Sequence, residues 1–515
     1  MSTSQNANGG GATSIDSKGF FGHPMGLSTL FFTEMWERFS YYGIRPLLVL
    51  FMAAALSQGG FGIDRKQASA IVGLYAASVY LASLPGGWVA DRLLGLRRAI
   101  LVGAALITLG HLSIGLSAFA HGKVPFFCGL IFIVLGTGLL KPNISAIVGD
   151  LYPEGGARRD AGFSIFYMGI NGGAVLGQTV SGLLGENYGW HFGFGAAGVG
   201  MLVGLIFFAV RSRTTLGNLG IEISRHPDPA THARQQLTTK LILAAGLAAL
   251  VLVVVLTAVG IIHINPQALG ESMAYILVTL AVLYFAFIFI FGKLNREEKK
   301  RVVVIAILFA FAAVFWSAFE QAPTSLNLFA KDFTNRNLGS WVIPATWFQN
   351  VNSIFIVLLA PVFASIWLKL DKRRANPSSP AKFAFGLLAG GVGFGIMILA
   401  AYSVVSSNGT IKVSPLWLVA SYICQTVGEL CLSPVGLSSM TKLSPRKYVG
   451  QMMGIWFMAT ALGNLIAGLV GGNVDPEKLD QMPKLFIATT TSLVIAGLLL
   501  LVLVPVVKKL IPKDN

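Results

Sequence analysis

Charge is what this 515-residue sequence has least of: Asp, Glu, Lys and Arg together make up 12% of it, about half the share found in soluble domains. Hydrophobic residues reach 54% and are spread evenly along the chain. That combination excludes a soluble enzyme or a nucleic-acid-binding domain and leaves a polytopic membrane protein. Cysteine is scarce too. Cys128, Cys424 and Cys431 fall inside apolar runs without metal-ligand spacing, so neither a disulfide framework nor a metal site is expected. There is no HExxH, nucleophile elbow or phosphate loop, and the glycine-rich stretches lie within apolar helices, where they read as packing. The reading is therefore not an enzyme, with no cofactor. Residues 1–24 are polar and Gly/Ser/Asn-rich. They lack the basic-then-apolar order of a cleaved signal and read as a disordered cytoplasmic tail.

What the chain does have is a succession of apolar runs long enough to cross ~30 Å of hydrocarbon. They lie at roughly 27–53, 67–90, 98–120, 125–149, 160–182 and 191–211, then 239–262 and 272–293, then 302–329, 341–368, 382–405, 415–440, 450–472 and 485–508. That is fourteen candidates, grouped six, two and six. The alternation of a barrel strand is absent, so these are helices. With the N-terminus inside, the inside segments hold 27 of the 38 Lys and Arg, the outside segments 8, and three lie within spans. This bias places both termini in the cytoplasm. It also accounts for most of the net charge of +16 without nucleic acid.

The turn after the second run carries Gly87, Asp91, Arg92, Gly95, Arg97 and Arg98. Its spacing resembles the loop signature of the major facilitator superfamily, in which Asp91 would accept charged hydrogen bonds and the glycines would let helices approach. The corresponding turn of the second half, near Trp367 to Arg374, keeps its basic residues but not the Gly/Asp pattern. Two six-helix halves suit an internally repeated transporter with a site at the membrane midplane.

Seven ionisable residues stand well inside the runs: Glu34, Glu37, Arg38, Arg45, Lys141, Glu320 and Glu429. Each costs about 2.5–3.5 kcal/mol on insertion scales, so each is a functional candidate. Glu34 and Arg38 are one helical turn apart, and Arg45 is two turns further on. The two guanidiniums on one face make a clamp for a carboxylate. The seven comprise four acids and three bases, which leaves one carboxylate free to bind a proton. Glu34, Glu37 and Glu320 are expected to share that role, exchanging partners with Arg38, Arg45 and Lys141.

The run Glu34-x-x-Glu37-Arg38-Phe39-x-Tyr41-Tyr42 resembles the first signature of the proton-dependent oligopeptide transporters. Gly136 to Asn143 around Lys141, Phe163 to Gly173 around Asn171, Phe315 to Gln321 and Gly428 to Pro434 resemble four further segments of that family. The resemblance implies a major facilitator fold in a bacterial cytoplasmic membrane. It implies proton-coupled uptake of di- and tripeptides by alternating access, in a monomer surrounded by lipid. Arg38, Arg45 and Lys141 would surround the peptide carboxylate, with Tyr42 and Tyr80 as hydroxyl donors. Asn171 and Asn352 would bond the peptide backbone, and Glu429, beside Ser433, would receive its ammonium. Trp316, Trp456 and Phe457 would form side-chain pockets, with Glu320 at the substrate as well. Arg45 would gate against Glu320 or Asp332, and Lys141 against Glu429. One departure stands out: Gly73 occupies a position where some relatives carry a histidine. His111 and His263, near span ends, read as interfacial residues.

The boundaries expected are a tail at 1–24, a six-helix bundle at 25–212, a linker with two extra helices at 213–298, a second bundle at 299–510 and a tail at 511–515. Two readings stay open beside peptide symport. One is a porter for nitrate, a drug or another zwitterion; the other is a non-transporting receptor, which gives no reason for seven buried charges.

Overall fold

The computed structural model describes residues 18–120, 122–153, 156–223, 227–445 and 448–510. The expected tails at 1–17 and 511–515 lie outside these. Residues 18–24, expected in the disordered tail, instead form a small hairpin, β1 (Lys18–Phe20) against β2 (His23–Pro24). Phe20 packs 5.5 Å from Phe31, and His23 Nδ1 lies 2.8 Å from the Tyr152 hydroxyl. Apolar and hydrogen-bonding contacts of that kind order a polar segment that composition alone reads as loose.

The apolar runs become α1 (Met25–Ala53), α2 (Arg65–Val89), α3 (Leu96–Ala120), α4 (Lys123–Asp150), α5 (Gly156–Asn187), α6 (Trp190–Thr215), α7 (Pro229–Ala258) and α8 (Pro266–Phe291). Then follow α9 (Arg296–Phe319), α10 (Asn327–Phe333), α11 (Asn350–Lys372), α12 (Ser379–Ser406), α13 (Leu416–Leu443), α14 (Val449–Gly471) and α15 (Gln481–Leu510). A π-helical turn at Ala322–Leu326 joins α9 to α10, so the described helices make fourteen passes, those of a major facilitator fold with an added pair. Twelve of the passes are long and apolar enough by composition to cross a membrane. The other two, α1 and α5, have the length but carry the polar residues of the site.

Capping sharpens the ends. Asp64 accepts from the backbone N–H of Lys66 and Gln67 at the start of α2. Asn295 and Glu298 bond each other's backbone as a capping box at the start of α9, satisfying N–H groups that lipid would leave bare. The two short strands β3 (Asn337–Leu338) and β4 (Trp341–Val342) form a hairpin before α11.

Helix α1 packs on α5 and α6, and α3 on α4; in the second half α12 packs on α13 and α15. Small residues set the closest approaches. At the crossing of α2 and α14 a Cβ on Gly73 would lie 2.7 Å from the Asn464 carbonyl oxygen and 2.8 Å from Gly468 Cα. Backbone meets backbone there, which is why no larger side chain, histidine included, stands at position 73. Helix α7 buries only Thr239 among its residues. Helix α8 lies against both α2 and α14, so the inserted pair touches the seam between the halves.

The loop after α2 uses its motif unevenly. Arg97 donates to Gly217 O at 2.7 Å, and its own N–H to Gly220 O at 2.9 Å. Gly95 takes φ 75°, where an L side chain would be strained. Arg92 sits over the Trp88 ring at 5.5 Å. Asp91 is exposed and accepts no hydrogen bond among the described residues, so the charged hydrogen bonds expected of it are not seen there.

Candidate functional site

Tyr41, buried on α1, stands between two guanidiniums: Arg38 is 5.1 Å from its ring centroid and Arg45 5.8 Å. The seven-residue spacing puts both on one stripe, as the helical repeat requires. Arg38 Nε lies 3.1 Å from Glu34 Oε1 and pairs also with Glu37. All three are at most 2% exposed. Among the described residues Glu34 Oε2 and Arg38 Nη2 have no partner, so the cluster has bonding capacity to spare.

Arg45 reaches across to the second half. It pairs with Glu320, at the end of α9, and its Nη2 donates to Asn464 Oδ1 of α14 at 2.7 Å. Asp332, the other partner considered for Arg45, is taken by Arg65 at 2.5 Å. The π-turn between Glu320 and Asp332 explains the division. It breaks the 3.6-residue register, and it leaves Asp332 a dozen residues nearer the end of the bundle where α1 finishes, called the upper end below.

Between the halves lies a cavity of about 180 Å³, room for roughly six waters at their liquid volume. Helices α1, α2, α5, α9, α11 and α13 all contribute to its wall. Of the residues expected, Tyr42, Arg45, Tyr80, Asn171, Trp316, Glu320, Asn352 and Glu429 line it. Arg38 is buried behind Tyr42, whose ring centroid is 5.9 Å away. Lys141 rests its ammonium 4.3 Å from the Tyr80 ring and has no carboxylate within 4.0 Å among the described residues. Glu429 accepts from Asn352 Nδ2 at 3.0 Å and likewise has no cation. Lys141 and Glu429, expected to gate together nearer the inside, are not paired in this conformation, whose upper end is the closed one. Arg38 serves two of the four acids and Arg45 a third, so among the described residues Glu429 is the one of the four that makes no ion pair.

Three expected residues stand elsewhere. Trp456 is buried against Phe383, ring centroids 6.3 Å apart, and Phe457 packs on the core. Ser433, half-buried one turn beyond Glu429, does not line the cavity. Asn171 spends its amide on its own helix, donating to Tyr167 O at 3.0 Å. His111, expected at an interface, is buried at 3% exposure, its Nε2 3.0 Å from Ser40 Oγ.

Sequence reasoning missed four neutral residues of the wall. Gln178, Gln349, Gln425 and Tyr422 line the cavity, and each, like the expected Trp316, has a buried polar atom without a partner among the described residues. Such atoms are costly unless a ligand or water meets them. The signal available was a glutamine or tyrosine in the middle of an apolar run. It is a weak one, because uncharged amides are tolerated in membranes far better than charges.

The upper end is closed by bonds between the halves. Glu186 of α5 accepts from Lys331 at 3.2 Å and from the Thr346 N–H at 3.0 Å, and lies 3.5 Å from Arg336. Trp347 and Asn350 donate to the backbone oxygen and hydroxyl of Thr179 at 2.9 and 3.0 Å. Asn327 donates to Pro46 O at 2.7 Å. Burial lowers the Arg336 guanidinium from its ordinary value, while Glu186 and Asp332 raise it; it stays charged throughout the physiological range.

Comparison with known proteins completes the description. The sequence model of PTR2, the POT family, matches residues 97–484. The chain is 50% identical over 507 residues to the peptide transporter YePEPT of Yersinia enterocolitica, covering 98% of each chain. It is 39% identical over 459 residues to a di-/tripeptide transporter of Lactococcus lactis, covering 87% of this chain and 89% of that one. A crystal structure of a peptide transporter POT in complex with sulfate superposes with a TM-score of 0.88 at 39% identity, covering 97% of this chain and 98% of the other.

Proposed function

This chain belongs to the POT family, and from that premise we propose that it draws di- and tripeptides inward across the bacterial cytoplasmic membrane by alternating access, driven by protons alone. It is a multi-pass membrane protein and a peptide transporter. It is not read as an enzyme, needs no cofactor, and works as a monomer in lipid, with both termini in the cytoplasm and the 25–212 and 299–510 bundles crossing the membrane. The upper end is then the outer face.

One observation carries the reading. Among the described residues Glu429 on α13 is a carboxylate in the cavity wall without a cation, and Lys141 on α4 is an ammonium without a carboxylate, 4.3 Å from the ring of Tyr80, which lines the same cavity. A zwitterion of peptide length supplies both missing partners. Its ammonium meets Glu429 and Asn352, and its carboxylate meets Lys141 and Arg45, each by charge-assisted bonds. Nitrate would answer only one pole. Tyr42, Tyr80 and Asn171 bond the backbone in between, Trp316 takes a side chain, and the free amides of Gln178, Gln349 and Gln425 accept varied peptides.

Coupling uses the charges already paired. When Glu320 binds a proton it loses its ionic hold on Arg45, and the guanidinium turns to the incoming carboxylate. Glu34 and Glu37 share that proton-binding role with Glu320, exchanging partners with Arg38 and Lys141. A neutral zwitterion adds no charge, so the proton carries the driving force. At 100 mV and one pH unit, about 2.3 plus 1.4 kcal/mol supports roughly a few-hundred-fold accumulation per proton. Gating follows: Arg45 with Glu320, and Arg65 with Asp332, hold the outer side shut until the site releases them.

The test is uptake of labelled dialanine into proteoliposomes with and without an inward proton gradient. Accumulation that needs the gradient and is competed by di- and tripeptides, not by free amino acids, is expected. Folded protein that moves no peptide would overturn the reading and direct the search to other zwitterions.

A further inference from the structure

Resting on the symport reading above, we propose that Asn464 is a positioning residue for coupling: a neutral acceptor that keeps the Arg45 guanidinium at the cavity wall while Glu320 exchanges its hold on that guanidinium for a proton. Asn464 is 2% exposed on α14. Its Oδ1 accepts from Arg45 Nη2 at 2.7 Å, the same nitrogen that pairs with Glu320. The orientation of the amide is set from the other side. Asn464 Nδ2 donates to Thr460 O at 2.9 Å, so a flipped amide would turn a donor toward Arg45 and an acceptor toward a carbonyl. The helix itself is pinned at this level, because the Asn464 backbone oxygen lies against Gly73.

Among the described residues Arg45 therefore has one charged acceptor, one neutral acceptor and an Nε that is buried without a partner. Proton uptake forms one O–H bond on Glu320 and removes one ionic contact, and the wall gains one positive charge. The remaining acceptor decides where that charge stays. Arginine is long, and without Asn464 the released guanidinium is free to leave the cavity wall. With it, the guanidinium remains where a peptide carboxylate can meet it. An amide suits the task because a carboxylate at this point would hold Arg45 whether or not Glu320 carried a proton. The other charged and titratable groups around the pair are Tyr41, Tyr42 and, further along α1, Glu37 and Arg38; Tyr75 and Tyr80 come from α2, Lys141 from α4, Tyr167 from α5, and Tyr422 and Glu429 from α13. Among the described residues Glu320 is the one carboxylate that forms an ion pair with Arg45.

Full-length N464D and N464A, each checked for a monodisperse folded peak, are compared with the parent chain for dialanine uptake between pH 5 and 8. N464D is expected to need more acid, its half-maximal point moving down by about one pH unit or more, because two carboxylates must then take protons. N464A is expected to keep the parent midpoint and to raise KM about tenfold, since Arg45 loses its neutral acceptor. A parent-like pH profile in N464D overturns the proposal. Should N464D not fold, a parent-like KM in N464A does so instead. Absence of proton-driven uptake in the parent chain counts against the symport reading and not against Asn464.

Discussion

Arg38 serves two carboxylates with one guanidinium, and all three side chains are buried in the helix bundle. Deleting that cation leaves both uncompensated. Arg38→Met is expected to cost about 3–5 kcal/mol, read as a lower melting temperature in detergent than the parent. Glu37→Gln is gentler, since Glu34 remains to pair Arg38. It should abolish gradient-driven accumulation while peptide counterflow continues, and full pumping by this variant would remove Glu37 from the coupling. At the opposite pole, Glu429→Gln keeps the bond to Asn352 but loses the charge facing the substrate ammonium. A KM for dialanine raised tenfold or more is expected, against little change for a peptide whose amino group is already blocked. The ionisable members of this site were legible because lipid makes each of them expensive. The pairing among them was not. Which of Glu320 and Asp332 meets Arg45 depends on a π-turn that no apolar periodicity announces. Asn464 and the three glutamines were invisible for a different reason: nothing in a single chain separates a binding amide from one that ties helices.

Helix existence, order and approximate ends could be read from apolar length alone, since lipid permits few other solutions. Contacts between helices could not. Gly73 was noticed only as a place where a histidine was missing, and its reason lies on another helix four hundred residues away. Gly73→Ala sets a methyl 2.7 and 2.8 Å from backbone atoms of α14, and backbone cannot step aside as a flexible side chain would. A loss of about 1–3 kcal/mol is expected, seen in thermal unfolding. Gly115→Ala on α3 provides the contrast, because nothing lies within 4 Å of its new carbon. That variant should melt with the parent. The hairpin at residues 18–24 shows the reverse error, a polar stretch called loose that finds its order in Phe31 and Tyr152.

Considered whole, the molecule is fastened at its upper end, and Glu186 carries much of that fastening. Its side chain is 2% exposed yet bonds three separate pieces of the second half, the end of α10, the loop that follows and the segment before α11. Glu186→Ala leaves Lys331 and Arg336 facing one another. It is expected to raise labelling, by a membrane-impermeant thiol reagent added outside, of a cysteine placed at Ser353 in the cavity wall. Labelling that stays at the parent level would assign the seal to Arg65 and Asp332 instead. The bare backbone contact of Gly73 with Gly468 has a consequence for motion as well. With no side chains to interlock, it is the natural fulcrum for one half to turn on the other, and it divides α2 unequally. Arg65 stands eight residues above it and Val89 sixteen below, so the arms measure about 12 and 24 Å. A turn of about 10° would displace Arg65 by roughly 2 Å, enough to part it from Asp332, and the far end of the helix by twice that. Leverage of this kind lets a small loosening at the outer seal move the inner mouth by the width of a substrate backbone.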